Sequence, residues 1–166
     1  MSKPVPRAYS RLQIRLHWLV FALLLLQFIL HEPMTEAFDQ IEKGLIPAFH
    51  PQVAAHVFGG FLIFVLAAAR LWVRLDRGVP PLPSHDPPLQ ILAAHLTHYS
   101  LYALLFAMPV SGAVAWFRGN EAAADAHGIM RFVLIALIAL HVLASLYHHF
   151  LLKDGLLQRM RRGDPV

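Results

Sequence analysis

Residues 127–149 read His127-Gly-Ile-Met-Arg-Phe-Val-Leu-Ile-Ala-Leu-Ile-Ala-Leu-His141-Val-Leu-Ala-Ser-Leu-Tyr-His148-His149. This stretch decides the fold. It is long and apolar enough to cross a bilayer as a helix, and its main polar interruptions are histidines. An ionisable side chain inside lipid is costly, so it normally faces a bundle interior and has a task there. His127 and His141 stand fourteen residues apart, and His148 seven further on. At about 100° per residue all three fall near one face, with a drift of roughly 20° per heptad. Fourteen residues rise about 21 Å and seven about 10 Å. Two macrocycles stacked through a membrane fit the longer spacing and crowd at the shorter one. A neutral imidazole is a good ligand for iron, and the residues point to a small membrane cytochrome with two b-type haems.

The rest of the chain supports a membrane setting. Of 166 residues, 57% are hydrophobic and only 14% are charged, well below the usual quarter of a soluble domain. The absence of cysteine excludes disulfides, thiolate metal sites, iron–sulfur clusters and covalently attached c-type haem. Further apolar runs precede residue 127, so the sequence predicts an all-α integral membrane four-helix up-down bundle. Its spans run about 14–31, 53–73, 91–117 and 126–152, within a single transmembrane domain over 1–166. Pro33, Gly44, Pro47 and Pro51 mark the first connection as a loop of about twenty residues. A proline-rich extended linker, 78–88, joins the second and third spans. The amino terminus resembles a signal peptide in its basic start, but no small-residue cleavage pattern follows, so it reads as a retained span.

The net charge of +4 is sorted by loop rather than spread, so it signals topology and not nucleic acid. Lys3, Arg7, Arg11, Arg15, Arg70, Arg74, Arg77, Lys153, Arg159, Arg161 and Arg162 share one side, eleven of the fourteen basic residues. Lys43, Arg118 and Arg131 are on the other, with Glu32, Glu36, Asp39, Glu42, Glu121 and Asp125. The positive-inside rule then places both termini in the cytoplasm.

Depth selects partners for the two histidines of the last span. His56 lies about a turn inside the outer end of the second span and matches His127. His17 lies about a turn inside the cytoplasmic end of the first and pairs with His141, although His148 is an alternative that helix tilt would decide. A single intramembrane histidine is as readily explained by hydrogen bonding between helices. Four of them on three helices at matched depths weigh against that. Gly59, Gly60 and Gly128 sit beside the histidines and would let a flat macrocycle approach, or simply let helices pack. Arg70 and Arg74 would pair with haem propionates, or merely complete the basic cluster. His95, His98, His148 and His149 gather at the cytoplasmic side, where they suit a quinone site or, slightly better, interfacial and propionate contacts.

Several short motifs share an order and spacing with a known family. They are Tyr9-Ser10-Arg11-Leu12-Gln13, Leu16-His17-Trp18-Leu19, His56-x-x-Gly59, Arg70-x-Trp72-x-Arg74, His95-x-x-His98, Met108-Pro109-x-x-Gly112 and Leu140-His141, then Lys153-Asp154-Gly155. Nearly the whole chain resembles the bacterial cytochrome b561 family, related to cytochrome b subunits that anchor hydrogenases and formate dehydrogenases. The resemblance implies a multi-pass protein of the bacterial inner (cytoplasmic) membrane. It also implies two haem b groups ligated by His17, His56, His127 and His141, and electron exchange with the quinone pool. One branch oxidises superoxide at the outer side, so an oxidoreductase of superoxide:quinone type is the implied activity, with a plain electron carrier beside it. Partners would be lipid, quinone, superoxide or a redox protein donor, and a second copy in a homodimer. Two rival readings stand: an anchor subunit of a larger dehydrogenase, and a histidine-based metal-ion transporter.

Overall fold

A computed structural model describes residues 6, 8–82 and 87–162 of the chain. Lys3 and Arg7 of the basic amino-terminal cluster, and residues 83–86 of the proline-rich linker, lie outside the described residues. The described chain is helical without strands. Four helices are long and apolar enough to cross a membrane: α1 (Arg11–Ile29), α3 (Pro51–Arg77), α4 (Pro88–Arg118) and the segment Glu121–Leu152. The last comprises α5 (Glu121–Tyr147) and a π-helical turn (His148–Leu152). Two further helices, α2 (His31–Glu42) and α6 (Leu156–Arg159), flank the spans.

Local chemistry sets the helix ends. Ser10 and Gln13 form a capping box at the start of α1: Ser10 Oγ accepts the Gln13 N–H at 3.3 Å, and Gln13 Oε1 accepts the Ser10 N–H at 2.9 Å. Proline opens α3 and α4, where its missing N–H costs nothing. Gly119, at φ +57°, ends α4 in a left-handed conformation, and Asn120 caps α5 by accepting the Ala123 N–H at 2.8 Å.

The first connection differs from the sequence expectation. Residues 31–42 form a helix rather than a loop. Pro33 is no obstacle there, because it lies in the first turn, where the N–H has no intrahelical acceptor. Glu32, Glu36, Asp39 and Glu42 are exposed, while Ala37 is buried. The helix reaches across the bundle end: His31 meets Arg131 of α5, and Ile41 Cγ2 approaches the turn at Gly119. The opposite end holds both described termini and is cross-tied. Gln13 Nε2 donates to the Gly78 carbonyl at 2.9 Å, Trp18 Nε1 to Met160 at 2.9 Å, and Arg159 to Pro81 at 2.8 Å.

In the bundle, α1 packs on α3, α3 on α4, and α4 on α5. Val20, Ile63, Ala67 and Leu105 form the central apolar cluster, and Leu134 is also buried. Leu134 is seven residues from both His127 and His141, so this dry plug lies between two histidine levels. The outward faces carry many exposed apolar side chains, among them Phe58, Val65, Leu143 and Phe150, as lipid-facing helices do.

Candidate functional site

The histidines meet in cross-bundle pairs. His17 of α1 faces His141 of α5, with ring centroids 6.2 Å apart and planes at 68°. His56 of α3 faces His127 of α5, at 6.4 Å and 65°. Two imidazoles whose nitrogens each lie about 2 Å from a shared metal, with ring centres about 1.1 Å beyond, have those centres roughly 6.2 Å apart. Both pairs therefore have the donor type and the ring spacing that would suit a metal held between two imidazoles. Each pair links helices that do not adjoin in the packing series, and helices packed shoulder to shoulder would leave no room for a macrocycle.

The protein holds the rings in different ways. Nδ1 of His17 is buried without a protein hydrogen-bond partner, an expensive state in an apolar interior, whereas the His56 imidazole is within reach of the Gln27 backbone. His127 is held differently. Its Nδ1 donates to the Met108 carbonyl at 3.0 Å, beside the Ser111 hydroxyl at 3.2 Å. That contact fixes the tautomer and leaves Nε2 as the free lone pair, the usual arrangement for a ligating histidine. Gly112 makes room for it: a Cβ there would stand 3.1 Å from His127 Cε1. A Cβ at Gly60 or Gly128 would meet open space, whereas one at Gly59 would collide with the Gln27 side chain.

Arg70 and Arg74 both place their guanidinium groups over the Tyr102 ring, 5.6 and 5.9 Å from its centre. Arg70 is also near enough for its charge to act on His17, His98 and His141. His148 is turned elsewhere, with its Nδ1 bonded to the Asp154 carboxylate at 2.5 Å. The residue that faces His17 is His141.

Two contacts of the site were not read from sequence. His98 stacks edge-on to His141 at 5.3 Å, so a third imidazole joins the pair near the terminal end. At the other end, an Arg131 N–H donates to His31 Nε2. Burial first, and the Arg131 charge second, hold the His31 imidazole below its ordinary range, so it stays neutral and can accept that bond. Only the depth of these residues could have signalled their role, and depth needs the helix ends.

The pattern of motifs matches a family model described as "Prokaryotic cytochrome b561" over residues 8–163. The chain belongs to the prokaryotic cytochrome b561 family. Family membership makes this a haem b-binding, multi-pass bacterial membrane protein of electron transfer. The cytochrome is 35% identical to cytochrome b562 of Cereibacter sphaeroides, over 93% of this chain and 95% of that one. It is 31% identical to the probable superoxide oxidase CybB of Yersinia pestis, over 93% and 96%. It is 28% identical to cytochrome b561 homolog 2 of Escherichia coli, over 93% and 92%.

Proposed function

We propose that this cytochrome holds two haem b groups, one between His56 and His127 and one between His17 and His141. On this reading it conducts electrons through the inner membrane, between a donor at the α2 end and a quinone at the terminal end. The observation that carries the reading is the pair of cross-bundle imidazole contacts at 6.2 and 6.4 Å. Haem ligated by two imidazoles supplies one-electron transfer and leaves no iron position for oxygen to occupy.

The protein's part is to place and isolate these groups. The fourteen residues between His127 and His141 separate the levels by about 21 Å along α5. Met108 and Ser111 orient the His127 ring. Arg70 and Arg74 would meet the propionates of the group at the His17 level. The plug of Val20, Ile63, Ala67, Leu105 and Leu134 excludes water between the levels. The described basic residues of the terminal end, from Arg11 and Arg15 to Arg161 and Arg162, support a cytoplasmic position for that end.

Superoxide is a candidate donor because one relative is named a probable superoxide oxidase. The exposed carboxylates of α2 oppose it, since they repel an anion from the mouth above His56 and His127.

The decisive experiment is a reduced-minus-oxidised visible spectrum of the detergent-purified protein, with a pyridine haemochrome assay. About two b haems per chain, both reduced by quinol, support the reading. A single haem would remove one of the two levels, and failure of quinol to reduce either would remove the quinone assignment.

A further inference from the structure

The connection between α2 and α3 reads Leu45-Ile-Pro-Ala-Phe-His50 and is turned out of α2 by Gly44 at φ +71°. Its apolar side chains face outward: Ile46 is 95% exposed and Phe49 83%. Leu45 is more than half exposed as well. Three large apolar side chains together on an irregular segment are unusual against water.

We infer that this loop is a membrane-interface anchor, with Leu45, Ile46 and Phe49 inserted among the lipids of the leaflet next to α2. Three observations lead there. Phe49 lies two residues before Pro51, where the α3 span begins, so the loop stands at the boundary level of the bilayer. The helices that flank the bundle end carry outward apolar side chains of the same kind, Phe58 on α3 and Ile29 at the end of α1, 71% and 72% exposed. Lys43 and His50 bracket the segment and are exposed, as polar residues are that reach headgroups from an interfacial position. The helix before the loop holds its position by packing on the protein. Its carboxylates lie on one face, and Ala37 and Ile41 turn inward onto the bundle end, so α2 lies across the bundle with its charged face outward. The anchor and the His31–Arg131 contact would together hold α2 across the bundle end. This inference does not depend on what the histidines bind.

The chain has no cysteine, so single-cysteine labelling tests it directly. Ile46→Cys and Phe49→Cys would each carry a nitroxide, in the full-length protein in lipid nanodiscs. Phe58→Cys provides the lipid reference and Glu36→Cys the water reference. Molecular oxygen and a water-soluble nickel chelate are the two relaxing agents. Labels at 46 and 49 that collide several-fold more with oxygen than with the chelate, as at 58, support insertion. Labels that behave as at 36 overturn it. Labels shielded from both agents, with dipolar broadening between copies, would assign the patch to a second copy and also overturn it.

Discussion

At the scale of single side chains, the two histidines of α5 are held unequally. His127 is fixed through Met108 and Ser111, whereas His141 is crowded by two imidazoles, His17 and His98. Replacing His17 or His141 by Ala should lower the haem content from about two per chain to about one, because an iron with one axial ligand is poorly held. His148→Ala should keep both, since His148 faces Asp154. Haemochrome stoichiometry distinguishes the outcomes, and loss of haem in His148→Ala alone would reassign the ligand. Gly112→Ala forces a methyl against the His127 ring, an overpacking of about 1–3 kcal/mol. It should shift the spectrum or potential of one centre and leave the other unchanged. The fourteen-residue spacing was legible in the sequence. The pairing of His17 with His141 was also read there, with His148 as the alternative that helix tilt would decide, and the structure sets the His17 ring against the His141 ring. His98 was legible as part of the cytoplasmic-side cluster, but its approach to His141 was not. With α4 starting at Pro88, His98 lies about 15 Å along the helix rather than near its mouth.

At the scale of elements, α2 carries the clearest pH dependence. Its first residue, His31, is neutral and accepts from Arg131, with Glu32 and Thr35 near it on α2 and His127 acting from α5. The folded pKa lies below the ordinary 6.5, so the unfolded chain takes up the proton first. The docking of α2 is therefore at full strength above about pH 6.5 and weakens as the pH falls below it. Hydrogen exchange of α2 amides should accelerate from pH 8 to pH 5.5 in the native protein and change less in His31→Gln. The acidic face gives a second expectation. If superoxide reduces the haems, the rate should rise with added salt, and rise several-fold at low salt in a variant with Glu32, Glu36 and Glu42 changed to Gln. Pulse radiolysis would measure it, and a rate that falls with salt would mean a hidden positive path. Helix α2 was not legible because its pattern is short and bracketed by residues that elsewhere break helices. Pro33 falls in the first turn, and Gly44 lies just beyond the end.

At the scale of the molecule, the four spans were legible from apolar length alone, since lipid forces every backbone group into a helix. Their order in space was not. Packing of α1 on α3 and α4 on α5 depends on side-chain shape rather than hydropathy. The charge distribution makes a topological prediction: fluorescent protein fused to the carboxyl terminus should glow, and alkaline phosphatase fused there should be inactive. The reverse pattern would invert the molecule in its membrane.

The cross-bundle histidine pairs have one more consequence. They join α1 to α5 and α3 to α5, contacts that the neighbour-to-neighbour packing of the helices does not provide. On the ligation proposed above, a newly made chain lacks both of its braces until cofactor arrives. The open form would expose buried imidazoles and loosely seated helices to the surveillance proteases of the membrane. Iron and porphyrin supply would then set how much of this protein a cell retains, without any change in how much it makes.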